Sequence, residues 1–209
     1  MIIAVDGPAA SGKGTLARRL ARHFGLNYLD TGSLYRAVAF RALAAGADPA
    51  DPDAAVAAAK QVEPRDLDDP RLRDDKVAQA ASVVAAIPGV RAALLAFQRE
   101  FARRGKGAVL DGRDIGTVVC PDADAKVFLT ATVEARAFRR FKELQAAGGA
   151  AIYERVLQDM KLRDARDRER RTAPLQRASD AFELDTTALD ADAAFAAVLR
   201  YIGERKPRR

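Results

Sequence analysis

The chain of 209 residues has one cysteine, one histidine and no tryptophan, and only 6% of it is aromatic. The single cysteine, Cys120, excludes an internal disulfide framework and any multi-cysteine metal site. Flanked by Val119 and Pro121, it reads as a small buried apolar residue. The single histidine, His23, excludes a zinc cage built on imidazoles. A Ser-His-Asp triad would have to use it, but its neighbours Arg18, Arg19 and Arg22 mark a basic helix face, so it reads as a surface residue. Scarce aromatics leave little for stacking single-stranded bases. No run of about 18 apolar residues exists, so no membrane span is expected. Residues 1–5 lead straight into a glycine-rich turn, which argues against a signal peptide and makes the cytoplasm the expected compartment.

What is present is a core and a phosphate cradle. Apolar residues make up 49% of the chain, enough for a substantial core, and the net charge of +6 suits an anionic partner. The run Met1-Ile2-Ile3-Ala4-Val5 is followed by Gly7-Pro8-Ala9-Ala10-Ser11-Gly12-Lys13-Gly14-Thr15. Gly7, Gly12 and Lys13 match the G-x-x-x-x-G-K core of the P-loop, between a short strand and a helix as that motif requires. Backbone N–H groups, the positive helix end and the Lys13 ammonium then converge on one spot, whose best occupant is a polyphosphate. The hydroxyl usual directly after the lysine is displaced by Gly14 and arrives at Thr15.

Short β-type runs recur at 2–5, 27–29, 108–110, 126–129 and 182–184, separated by helical stretches rich in alanine, leucine and arginine. This alternation predicts an α/β fold of three layers, a five-stranded parallel sheet with helices on both faces. Ligands of such sheets lie beyond the carboxyl ends of the strands. Asp6, Asp30 and Asp111 each end a strand, so those three ends are expected to face one crevice. Asp51 and Pro52 read as a helix cap and first helical residue. Residues 63–76 form a charged connector, a helix over 76–104 breaks near Pro88-Gly89, and Gly148-Gly149 separates two further helical stretches. The organisation expected is a single domain, 1–209, with two mobile inserts at 32–104 and 148–174.

Around Lys161 to Arg171 the spacing places Asp167 and Arg170 each within about 40° of Arg163 on one helix face. Arg163–Asp167, Asp164–Arg168 and Asp167–Arg171 are i,i+4 pairs, and taken alone such a run is more often a solvated, self-paired helix. Beside a P-loop the balance changes. Moving a phosphoryl group between two anions needs several cations, and arginine supplies them with bidentate geometry. A glycine-flanked, arginine-rich insert is what a closing lid looks like. The segment from Thr31 to Arg36 and the segment Asp111-Gly112-Arg113-Asp114-Ile115-Gly116-Thr117 follow two adjoining strands and add hydroxyls, glycines and more arginines. Together they point to a second anionic ligand. A reading from another class is a basic P-loop ATP-binding protein acting on nucleic acid, with a tail of Arg200, Arg205, Lys206, Arg208 and Arg209.

Those motifs, together with Ala80-Ala81-Ser82, Pro88 and Val90-Arg91, resemble the bacterial cytidylate kinases of the nucleoside monophosphate kinase family. The resemblance runs from Ile2 to about Asp185, and Asp111-Gly112-Arg113-Asp114 is its most specific element. It implies transfer of the γ-phosphoryl group of ATP to CMP or dCMP with Mg²⁺, by a monomer acting on small nucleotides and on neither nucleic acid nor membrane. By matching position, Gly7, Pro8, Ala9, Ala10, Ser11, Gly12, Lys13, Gly14 and Thr15 would hold ATP. Thr31, Ser82, Arg91 and Asp114 would hold the cytidine part, and Arg36, Arg113 and Arg163 would grip phosphate. Asp167 and Arg170 would reach the sugar region and support lid closure, while Thr15 and Asp111 would face the metal. Lys13, Arg113, Arg163 and Arg170 are the catalytic candidates. The connector 63–76 is shorter than the strand-bearing insert of many family members.

Overall fold

The computed structural model describes residues 1–146 and 148–204. Five strands form one parallel sheet: β1 (Ile2–Asp6), β2 (Asn27–Asp30), β3 (Ala108–Gly112), β4 (Ala125–Thr130) and β5 (Phe182–Asp185), in the order β2-β3-β1-β4-β5. The central strands are continuous apolar runs because both of their faces are covered. Each expected strand is present, and the terminal carboxylates join the ladder: Asp6 pairs with Gly112, and Asp30 with Asp111.

One face carries α1 (Lys13–Phe24) and α8 (Ala191–Glu204). Leu16 and Leu20 on α1, and Val198 and Ile202 on α8, are spaced four apart and bury against Ile3, Val5, Val127 and Leu129. Gly25 ends α1 in the left-handed region, its N–H bonded to the Ala21 carbonyl. The opposite face is packed by α2 (Thr31–Ala44), α3 (Pro52–Lys60), α4 (Asp75–Val84) and α5 (Pro88–Ala102) over Ala4, Leu29 and Leu110. Asp51 caps α3 through the amides of Asp53 and Ala54 at 2.9 and 3.3 Å, and Pro52 opens it, as expected.

The expected break at Pro88 is sharp. Helices α4 and α5 meet at 100°, and Gly89 lies against Val56, where an added Cβ would come within 2.6 Å of the valine Cγ2. Among the described residues no single helix is long and apolar enough to cross a membrane. The connector 63–76 holds two short 3₁₀ turns, Pro64–Asp68 and Pro70–Arg73, the first anchored by the Arg41–Asp66 ion pair at 2.8 Å. Helix α6 (Val133–Ala146) and helix α7 (Tyr153–Glu169) share a small apolar cluster of Ala137, Val156 and Met160 that also takes in Ala9 of the glycine-rich turn. Residues of both segments, 32–104 and 148–174, reach the crevice at the carboxyl edge of the sheet.

Candidate active site

The glycine-rich turn takes a path closed to most side chains. Gly7 has φ +145° and Gly12 φ +91°, and a Cβ on Gly7 would sit 2.2 Å from the Leu129 carbonyl oxygen. Helix α1 then starts at Lys13 with no side-chain cap and no acidic residue in its first turn. Its free amides and positive end are left for an anion. Lys13 is buried, and its Nζ donates to the Pro8 carbonyl at 2.6 Å, an oxygen that also accepts from Ser11 Oγ at 3.0 Å. Burial, reinforced by the neighbouring Arg113 guanidinium, pulls the Lys13 ammonium down to about 7. The negative charge of a phosphate offsets both effects and favours the ammonium. The residues present fit a polyphosphate.

Two of the three strand-end carboxylates line the crevice beyond this turn, and the third does not. Asp30 and Asp111 face a cavity of about 300 Å³ together with Lys13 and Thr15. Burial and the facing Asp30 raise the Asp111 carboxyl to about 6, and Tyr28 donates its hydroxyl to Asp111 Oδ2 at 2.7 Å. Asp6 is turned under the floor. Its two oxygens accept the amides of Ile115 and Gly116 at 2.8 and 2.7 Å, pinning the π-helical turn Ile115–Val119 to β1. Burial lifts the Asp6 carboxyl from 3.8 to about 7 against the pull of those amides. The folded chain therefore holds the Asp6 proton more tightly than the unfolded chain does. Its contribution to stability is complete below 3.8 and is lost as pH rises towards 7. Urea unfolding from about pH 5 to about pH 7.5 should show a smaller loss of stability in Asp6→Asn than in the wild type, and equal losses would remove Asp6 as the cause.

All nine substrate-site residues expected from sequence line this one cavity: Thr31, Arg36, Ser82, Arg91, Arg113, Asp114, Arg163, Asp167 and Arg170. Ser33, from the same segment as Thr31, does not; helix α2 begins at Thr31 and turns the Ser33 hydroxyl back to the Asp30 carbonyl at 2.5 Å. Arg36 pairs with Asp30 at 2.5 Å, Arg113 with Asp167 at 2.9 Å, and Arg91 with Asp114, which Arg170 also approaches at 3.5 Å. The i,i+4 pairs that the lid sequence allows do not form among the described residues. Asp167 turns to Arg113, and Asp164 to Arg136 of α6. Helix α7 ends at Glu169, so Arg170 lies just beyond it, its Nε donating to Ala173 at 2.6 Å.

Arg163 is left over. Among the described residues it makes no ion pair, and its Nε is buried without a partner. Burial and the adjacent Arg113 lower it to about 10, with Asp167 opposing. The buried Ser82 hydroxyl on the same wall is also unpartnered. A cavity with a surplus guanidinium and an idle hydroxyl asks for a polar anion.

The cytidylate kinase family model matches residues 3–204. The chain belongs to the cytidylate kinase family. It is 62% identical over 208 residues to a cytidylate kinase of Paramagnetospirillum magneticum, covering 98% of this chain and 99% of that one. It is 54% identical over 209 residues to a cytidylate kinase of Rhodospirillum rubrum, covering 98% of each. A solved gluconokinase from Sinorhizobium meliloti shares the fold at 16% identity, with TM-score 0.50, covering 96% of this chain and 90% of that one.

In this cytidylate kinase family member the turn separates two cavities. Ala9, Gly12, Lys13, Gly14 and Thr15 line the first, while Ala10, Ser11, Gly12 and Thr15 line a second of about 320 Å³ with Arg139, Thr186 and Asp190. Gly7 and Pro8 line neither; Gly7 packs beneath on Leu129, and Pro8 presents its carbonyl to Lys13 and Ser11. Sequence reasoning did not find the second cavity. Thr186, at the end of β5, accepts from Arg139 at its carbonyl and donates its hydroxyl to the Ser11 carbonyl at 3.0 Å. The strand-end rule that found Asp30 and Asp111, extended to β5, would have reached it. His23 is exposed and Cys120 buried, as their sequence neighbours suggested.

Proposed function

We propose that the protein transfers the γ-phosphoryl group of ATP to CMP or dCMP, yielding ADP and CDP or dCDP. The observation that carries this reading is the convergence of Arg36, Arg91, Arg113, Arg163 and Arg170 on one cavity beside the phosphate cradle, with Arg163 unneutralised. The amides from Ala9 to Thr15 and the Lys13 ammonium hold the triphosphate, on a turn whose path Gly7 and Pro8 shape from beneath. Thr15 and Asp111 would hold Mg²⁺, which when bound would supply positive charge to the polyphosphate. Among the described residues no three His, Cys, Asp or Glu side chains gather as a metal cage, in keeping with an ion carried largely by phosphate and water.

Arg36, Arg113 and Arg163 grip the monophosphate; Asp167, which orients Arg113, and Arg170, which steadies Asp114, reach the sugar region. Ser82 and Thr31 flank the nucleoside. The Thr31 hydroxyl already donates to the Asp111 carbonyl at 2.7 Å, so it offers the ligand lone pairs only. The Arg91–Asp114 pair faces the base with a donor beside an acceptor, complementary to the carbonyl and amino edge of cytosine. No side chain forms a covalent intermediate: the new bond joins a CMP phosphate oxygen to the γ-phosphorus, and the bond to the β–γ bridging oxygen breaks. The site's contribution is alignment and charge neutralisation.

A coupled ADP-release assay over CMP, dCMP, UMP and AMP tests the assignment; AMP turned over better than CMP would overturn it. Asp114→Ala should erode the preference for CMP over UMP by about 10- to 100-fold, the consequence of losing a buried acceptor. Unchanged selectivity would retire Asp114 as the base reader. The nucleic-acid reading gains nothing here. The pocket arginines converge in a concavity instead of spreading over a face, Arg200 is an exposed residue within α8, and Arg205, Lys206, Arg208 and Arg209 lie outside the described residues.

A further inference from the structure

Arg136 of α6 is only 2% exposed, yet it lines neither of the two cavities beside the turn. All its hydrogen bonds go to protein. Its Nε donates to the Ala131 carbonyl at 3.0 Å, and Nη1 and Nη2 form a fork on Asp164 of α7 at 3.1 and 2.5 Å. Nη1 also reaches the Ala9 carbonyl, inside the phosphate cradle, at 3.2 Å. One buried guanidinium thus joins the turn, α6 and the residue that follows Arg163.

The Ala9 contact bears on backbone conformation. The next residue, Ala10, has φ +57°, a left-handed conformation that alanine keeps only when its surroundings hold it. In a trans peptide the carbonyl and the following N–H point in opposite directions. Fixing the Ala9 carbonyl on Arg136 therefore fixes the Ala10 N–H as well. The Asp164 fork does the same for the α7 turn that carries Arg163. No other buried arginine among the described residues bonds at once to the cradle and to α7.

We propose that Arg136 is a positioning residue for ATP: held by its fork on Asp164, it sets the Ala9–Ala10 peptide for phosphate. This rests on the kinase reading above. A lysine has one compact ammonium in place of a planar fork and cannot serve the three partners together. Titration calorimetry with ATP alone and with CMP alone reads the effect without turnover. Arg136→Lys and Asp164→Asn should each weaken ATP binding by about tenfold, against less than about twofold for CMP. Adding Ala10→Gly to Arg136→Lys should restore most of the ATP affinity, because glycine accepts φ +57° unaided.

If the wild type binds no ATP, the kinase reading itself fails. If the wild type binds ATP and both variants keep its affinity within about twofold, the role of Arg136 is overturned. Equal weakening toward ATP and CMP, or a lower melting temperature with both affinities intact, would mean a structural buttress only and would overturn it too. Should Arg136→Lys fail to fold, Asp164→Asn, which keeps the shape of the carboxylate, decides between these outcomes.

Discussion

Lys13→Ala is expected to lower kcat by about a thousandfold or more, roughly the effect of removing a cation from a phosphoryl-transfer site, with the fold intact. The Lys13 amine is held in reserve. Its hydrogen bond goes to the Pro8 carbonyl, an internal acceptor of the same turn, and its side chain already lies in the cavity. A phosphate oxygen offers that ammonium a stronger, charged acceptor, so the interaction strengthens as charge develops on the transferring group. The scaffold does not depend on it. Burial and Arg113 disfavour its charge in the absence of an anion, and the turn is shaped by Gly7, Gly12 and the Ser11 contact to Pro8. Circular dichroism melts of Lys13→Ala should stay close to the wild type while the coupled assay falls to background. Near-normal kcat would take Lys13 out of the chemistry.

The contrast between Lys13 and the lid arginines shows where sequence reasoning reaches and where it stops. Lys13 was legible because its setting is local: an apolar strand, a glycine-rich turn and a helix start within fifteen residues. The strands were legible for the same reason, each being a short apolar run, and the carboxylates that end three of them mark the sheet edge. Which way a strand-end side chain points is not local. Asp6 serves the amides of Ile115 and Gly116, more than a hundred residues away, and leaves the crevice to Asp30 and Asp111.

The same limit separates the lid sequence from the lid. Counting along α7 offers Asp167 to Arg163 and Asp164 to Arg168, but tertiary partners, Arg113 and Arg136, take both carboxylates. Arg136 illustrates the converse. It shares its helix with Arg139, Arg140 and Lys142, so nothing local sets it apart, and only the arrival of Asp164 and Ala9 makes burying it tolerable. Family resemblance covered that gap for the nine residues around the cavity, because motif positions carry tertiary information that spacing does not.

Arg163→Met is expected to move activity and stability in opposite directions. Without nucleotide, Arg163 is a cation whose Nε is buried without a partner, beside Arg113 and within reach of the fields of Arg36 and Arg140. Removing it relieves desolvation and like-charge repulsion, opposed only by the loss of Asp167's attraction, and Asp167 keeps Arg113 at 2.9 Å. The melting temperature of the free protein should therefore rise, by about 2–4 °C for each kcal/mol relieved in a chain of this size. With both nucleotides bound the sign reverses, since the same guanidinium is then one of the charges that lets two anions approach. We expect kcat to fall by about 10²–10³, with the affinity for CMP falling far less, because the charge it stabilises is greatest in the transition state. Melting curves of the free protein and kcat with CMP Kd of the variant check both halves. A lower melting temperature would mean that Arg163 is a structural cation, and equal losses in kcat and CMP affinity would mean that it only binds substrate.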